Sequence, residues 1–524
     1  MSLHLKHGHR KNAIFSCVTA LILSLAILIA SPVCAEEKEA KPLHGGKVLV
    51  GITQEPDFLD PQLAVAAGTK EILFNIFEGL TRLTPEGEWK DCLAESHEIE
   101  EDGKRYIFKL RDNVLFHNGK EMTEEDVIYS LRRAAGLDDS EPLLPQLQHL
   151  SDVRKGKEPM TVVVEQDTAD ADLLAYLNCA IIPADYDDQK DHPIGTGPYA
   201  FESYTPQVAL KLKRFEDYRD PDGAYVDEVE FKIYGDMDAA MLELMSGQID
   251  IFPYLSYEKA DMLGDDYRVN AGGANMVQLL ALNNRSEKLK DERVREAINL
   301  AVDRGQLVEL TMGDYGTPLA SAMTAEMGSY FNGEIEPPER DVEKARKLLK
   351  EAGYPDGLEL SVTVPGNYLI HVDTAHVLAS QLSEAGIKLH VESVEWGTWL
   401  EKVYAGRDYE STVIALTFEY TPSDVLNRYM SKADNNFINF SDKRFDTLAE
   451  KAISETDLEK RADLYQEMQG ILAEKNASVF LQDPQNLTAV RKEVEGYVQY
   501  PAYVQDMSLV YYTDQAAIDE SLMR

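Results

Sequence analysis

Basic residues are in short supply in this chain. Its 524 residues carry 52 Lys and Arg against 92 Asp and Glu, a formal net charge of −40. A protein that binds a phosphate backbone needs a basic face, so nucleic acid is excluded as a partner. Cysteine is scarcer still, with four in all, which excludes a disulfide-stapled scaffold. Gly-x-Ser-x-Gly, His-Glu-x-x-His and Cys-x-x-Cys are all missing. With them go the usual signatures of serine hydrolases, zinc proteases and thiol redox proteins, and the expectation is a non-enzyme with no cofactor. The chain is 44% hydrophobic and 9% aromatic, a globular composition that rules out wholesale disorder. At roughly 100–200 residues per domain, its length fits two to four domains.

One long apolar run is present, and it lies at the start. Lys6, Arg10 and Lys11 precede Ala13–Ala30, which is interrupted only by Ser16, Thr19 and Ser24. Ser31-Pro32-Val33-Cys34-Ala35 follows, and then acid begins at Glu36. A basic head, an apolar middle and a small-residue exit make a secretory signal peptide, with cleavage expected after Ala35. A run of 18 residues is also just long enough for an uncleaved anchor, but Pro32 and the small residues suit a cleavage site better. Cys34 sits in Ser-Pro-Val-Cys, a poor lipobox. Removing residues 1–35 takes away three basic residues and no acid, leaving 49 against 92, a net −43. The mature chain is therefore expected outside the cytoplasmic membrane, kept soluble by its charge. Only Cys92 and Cys179 remain in it, either paired or packed as small apolar residues.

Strand and helix patterns alternate along the mature chain. Gly46–Ile52, Tyr106–Arg111, Met160–Glu165, Leu210–Arg214 and Val229–Tyr234 read as strands. Helical periodicity covers 69–80, 237–245, 291–302, 341–352, 373–384, 442–453 and 458–475, mostly behind an Asp cap. Thr123 and Asp126 form a capping box. Gly195-Thr196-Gly197 lacks the Lys and the following helix of a phosphate loop, so it reads as a tight crossover. Asp303 and Arg304 are expected to form an architectural ion pair. The alternation predicts an α/β protein.

A series of short motifs then appears in a telling order. Glu55-Pro56 and Leu59-Asp60-Pro61 come first, then Asn75-Ile-Phe-Glu-Gly-Leu80, Tyr106-Ile-Phe-Lys-Leu-Arg111, and Val114-Leu-Phe-His-Asn-Gly119. Pro193-Ile-Gly-Thr-Gly-Pro-Tyr199, Ser246-Gly-Gln-Ile-Asp250 and Ala301-Val-Asp-Arg304 follow. From about Gly46 to Tyr512 the chain resembles the large extracytoplasmic solute-binding proteins of ABC importers, family 5, the oligopeptide, dipeptide and nickel-chelate group. The resemblance implies a periplasmic-binding-protein-like α/β fold with two main lobes, a hinge and an extra inserted domain. Domain I would comprise 46–80, 193–282 and 499–524, domain II 81–192, and domain III 283–498. It also implies a monomer that takes a peptide, or another small solute, to ABC permease and ATPase subunits at the membrane. A nickel-chelate or opine-type ligand is the alternative within the family. A ligand sensor or a secreted hydrolase is the alternative outside it.

The same resemblance points to ligand-binding residues. Peptide-binding members pair the ligand's ammonium with an acid inside Trp-x-x-Asp-Tyr-x-x-Pro. Here that stretch reads Leu416-Thr417-Phe418-Glu419-Tyr420-Thr421-Pro422, which puts Glu419 in the acid's place with Thr417, Phe418 and Tyr420 around it. Trp396 matches a pocket tryptophan and Glu55 a cleft-facing acid, whereas Trp399 reads as packing. The Arg that grips a peptide carboxylate in some members is absent before 373–384, where Gly366–His371 stand. No Arg lies in 174–184 either, where nickel-chelate binders carry one. His371 and His376 are five apart and share no helix face, so no metal site is expected.

Overall fold

The computed structural model describes residues 41–100, 103–138, 140–313, 315–417 and 421–524. The signal-peptide reading, on residues 1–35, lies outside them. Pro42–Arg524 forms one compact unit.

The strand Ser478–Arg491 organises this unit, because it is long enough to serve two sets of neighbours. Its first part pairs with Met276–Leu282 and Gly316–Pro318, and its last part with Ile251–Leu255 and Tyr267–Gly273. On the N-terminal side the sheet continues through Lys47–Ile52, Glu228–Ile233, Ala209–Arg214 and Tyr199–Thr205. On the C-terminal side it continues through Ser411–Thr417, Leu358–Pro365 and Ile387–Val394. Strand pairing therefore places 276–282 with the C-terminal half and 485–491 with the N-terminal half. Each half buries its own apolar core. Val48, Val50, Phe231 and Ile251 lie in one, and Leu280, Val362, Val413 and Val479 in the other. Lys47–Ile52 puts Val48, Val50 and Ile52 on one face and Leu49 on the other, each packed on its own cluster, and it is paired in parallel on both sides, as a strand covered on two faces should be.

A four-stranded antiparallel sheet stands beside this one, ordered Ala94–Glu100, Arg105–Leu110, Thr161–Gln166, Leu150–Lys155. Helix Glu124–Ala135 packs on it through Val127, Leu131 and Ala134. The helix starts at the predicted capping box, with Asp126 Oδ2 accepting from Thr123 N at 2.8 Å, and ends at Gly136.

Three sequence expectations resolve differently or more sharply. Helical periodicity continued to residue 80, but the helix is Ala67–Leu73. It stops there because the buried Asn75 side chain bridges to the C-terminal segment, donating to Gln505 O at 2.7 Å and accepting from Met507 N at 2.8 Å. Asp303 and Arg304 do not pair with each other. Asp303 caps helix Arg304–Met312 through Gln306 N, and Arg304 donates to the carbonyls of Leu319 and Phe480 and to Asn299 Oδ1. Cys92 and Cys179 are free buried thiols, which settles their alternatives in favour of packing. The crossover reading of Gly195 and Gly197 fits the geometry, since a Cβ on either would sit within 2.5 Å of the Ile76 or Asn75 carbonyl oxygen.

Candidate functional site: a crevice at the strand crossover

The strand registers locate the site. Ile251–Leu255 runs parallel to Lys47–Ile52 and ends with Leu255 opposite Leu487. Ser411–Thr417 runs parallel to Leu358–Pro365, which in turn is parallel to Ile387–Val394, and it ends with Thr417 opposite Met276. Residues 273–276 and 483–486, where the chain crosses between the halves, lie next to both endpoints. The carboxyl edges of both halves thus face the same crossover. In open α/β sheets that edge is where ligands bind, because loops and side chains there are free of the ladder.

From the N-terminal half, Tyr254 stands at this edge in the left-handed region, with φ 59°. A bulky residue rarely adopts that conformation without a surrounding structure that enforces it. Its phenol donates to Glu71 Oε2 at 2.5 Å, and its ring lies 5.9 Å from that of Tyr503. Glu71 is 5% exposed. Burial pushes its carboxyl up to about 7, against the lowering effect of bonds to Tyr254 and Gln505.

From the C-terminal half, Trp396 follows the carboxyl end of Ile387–Val394 and is half-buried. It stacks on Trp399 with centroids 5.1 Å apart, and Tyr368 meets it edge-on at 5.4 Å. Behind this aromatic group lies a neutral polar network. Gln278 donates to His371 Nδ1 at 2.9 Å and accepts from Thr374 and from Gln482, and Gln482 donates on to Thr311. Burial pushes His371 down to about 4, so the network is uncharged at neutral pH.

At the crossover itself Asp483 is 4% exposed and accepts from Met276 N at 3.3 Å. Its carboxyl is pushed up to about 8, first by burial and then by the facing Glu326. Glu326 packs so closely on the chain at Gly273 that a Cβ there would lie 1.7 Å from Oε1. A side chain at position 273 would displace the Glu326 carboxylate that faces Asp483.

The residues singled out from the sequence fall in three places. Thr417 and Trp396 both lie at the carboxyl edge of the C-terminal half. Phe418, Glu419 and Tyr420 lie outside the described residues. Glu55 is held by the far edge of the N-terminal half, accepting from Tyr204 OH at 2.8 Å and from Gln207 N at 2.7 Å. It borders a cavity of about 550 Å³ lined by Pro56, Phe58, His192 and Tyr204, and no contact among the described residues joins it to Trp396. Tyr254, Glu71 and Asp483 were missed. A tyrosine near a strand end is unremarkable in a chain with 26 of them, and its backbone conformation leaves no sequence signature. Among the described residues there is no cluster of three or more His, Cys, Asp or Glu fit to hold a metal.

An α/β chain whose two sheet halves turn their carboxyl edges to one crossover has the architecture of a solute-binding protein. The model of the bacterial extracellular solute-binding proteins, family 5 (middle), matches residues 88–437, and the chain belongs to that family. Oligopeptide-binding protein AppA of Bacillus subtilis (strain 168) is 25% identical over 530 residues, covering 94% of this chain and 97% of AppA. Two solved structures share the fold. HbpA2 of Haemophilus parasuis has a TM-score of 0.80 at 22% identity, over 89% of this chain and 99% of its own. The ABC transporter-associated periplasmic binding protein DppA of Helicobacter pylori, in complex with the peptide STSA, has a TM-score of 0.70 at 22% identity, over 90% and 99%.

Proposed function

We propose that this protein captures peptides in the crossover crevice and delivers them to the permease and ATPase subunits of an ABC importer, with no chemistry on the solute. The observation that carries the reading is the crevice, where the carboxyl edges of two separately cored sheet halves face one crossover. Two chain crossings leave the halves able to close about 273–276 and 483–486 as a hinge. Aromatic faces on one wall and a strained Tyr254 on the other suit a ligand with apolar side chains and a polar backbone.

The end-to-end match to a protein named for oligopeptide binding supports a peptide as the solute. Glu419, beside Thr417, Phe418 and Tyr420, takes the ligand's ammonium in this reading, and Trp396 takes a side chain. Glu55 has a smaller role at the rim. The lobes correspond to domain I (46–80, 193–282, 499–524), domain II (81–192) and domain III (283–498), with their strands exchanged at the crossover as described. The working protein is a monomer outside the cytoplasmic membrane, freed of residues 1–35. Among the described residues no helix is long and apolar enough to cross a membrane.

Thermal denaturation with a panel of di- to pentapeptides tests this reading. A ligand at 100 times its Kd should add about 2.7 kcal/mol of stability by mass action. A response confined to nickel chelates or opine-type solutes would move the assignment to the family's other branch.

A further inference from the structure

We propose that Asp172 is a positioning residue for the solute site, holding Thr421 and helix Pro422–Leu426 against the lobe that carries the four-stranded sheet. The inference rests on the crevice reading, because it assigns a purpose to the segment that follows the crevice edge. Asp172 is 3% exposed and stands just before the turn Leu173–Tyr176, without capping it through its side chain. Its two carboxylate oxygens have different partners. Oδ1 accepts from Arg461 Nη2, and Oδ2 accepts from the Ser423 hydroxyl.

Arg461, 4% exposed, is fixed in turn. It donates to Ala452 O and to Ala171 O, both at 3.3 Å, and lies 5.8 and 5.5 Å from the Tyr330 and Tyr465 ring centroids. The backbone reinforces the joint, with Ala171 N donating to Ile453 O at 2.9 Å. Ser423 Oγ lies 2.9 Å from Thr421 Oγ1, and Thr421 caps helix Pro422–Leu426 by accepting from Asp424 N at 3.3 Å. A hydrogen-bonded path therefore runs from Arg461 through Asp172 and Ser423 to Thr421, four residues past the crevice edge at Thr417.

A buried ion pair is a weak source of stability, since desolvating both charges offsets their attraction and a well-packed apolar pair often does as well. It does impose a fixed geometry. Here one carboxylate, oriented by Arg461, sets where Ser423 and Thr421 lie. The lobe that supplies Asp172 thereby controls the entry into the segment where a ligand ammonium would be met.

The test uses the mature full-length protein and the peptide from the panel that binds it most tightly. Ser423→Ala removes the tether and leaves the ion pair. Asp172→Leu with Arg461→Met replaces the pair by apolar groups, which keeps the joint packed but leaves Ser423 without its acceptor. Both should weaken peptide binding at least fivefold, mainly through faster dissociation. Both should also speed amide exchange of 421–426 in the ligand-free protein, while exchange of Arg105–Leu110 stays unchanged. If both variants bind within twofold of wild type and 421–426 exchanges as before, the positioning role is wrong while the crevice reading stands. If wild type binds no peptide, the crevice reading falls and this inference with it, whatever the exchange at 421–426 shows.

Discussion

Trp396 lies face to face on Trp399, with ring centroids 5.1 Å apart and planes 4° from parallel. The two have different tasks. Trp399 is 3% exposed and anchored by Nε1–H donating to Thr412 Oγ1 at 2.9 Å. In the proposed peptide site its fixed ring is the platform on which the half-buried Trp396 rests. Trp396→Ala should therefore weaken peptide binding by 10- to 100-fold, about 1.4–2.8 kcal/mol, with little loss of fold stability. Trp399→Ala should do the reverse first, costing about 3–5 kcal/mol of stability. Calorimetric titration and denaturant unfolding of both variants separate the two roles.

Asp483 makes a prediction about pH. Its folded-state carboxyl is raised to about 8, so the native state holds a proton that the unfolded chain releases near 4. Stability from this group is complete below pH 4 and is lost progressively as pH rises toward 8. Asp483→Asn keeps a neutral side chain at all pH values. Its melting temperature relative to wild type should climb between pH 5 and 8, and a constant difference over that range would contradict the assignment.

Glu78 tests the architecture apart from the ligand. It is fully enclosed and accepts from Arg219 Nη1 at 2.5 Å and Nη2 at 2.7 Å, from Tyr218 OH and from Thr196 OH. Burial raises its carboxyl, but Arg219 and then Arg82 outweigh burial and hold it below the usual range. Glu78→Gln removes the buried counter-charge of the half-buried Arg219 and Arg82 and should cost about 3 kcal/mol. Urea unfolding measures it.

The mature N-terminus is a further point of test. Sequencing of the exported protein should begin at Glu36, and an intact Met1 or a lipidated Cys34 would overturn the cleavage assignment.

Much of this fold could be read from the chain because local signals agreed with it. Met237–Met245 matches its predicted bounds, and Asp291, Asp341, Asp442 and Asp457 each cap the helix that follows. Reading failed where a distant segment decided the outcome. The helix after Ala66 stops at Leu73 because Asn75 is taken by residues 505–507. Asp172 looked like any of 92 acids, since its partner Arg461 lies 289 positions away. Trp396 was singled out because its neighbours resemble a family pattern. Tyr254 was not, because its distinction is a backbone angle.

The central claim is that a peptide is held in the crevice through its ammonium group, and one titration addresses it. Wild type and Glu419→Gln are each titrated calorimetrically with a panel peptide and with its N-acetylated form. The account predicts that the free peptide binds wild type and that either acetylation or Glu419→Gln weakens it by about 2–3 kcal/mol, roughly 30- to 150-fold. Acetylation should then make little further difference in the variant. Equal binding of free and acetylated peptide to wild type, or Glu419→Gln binding within threefold of wild type, would contradict it.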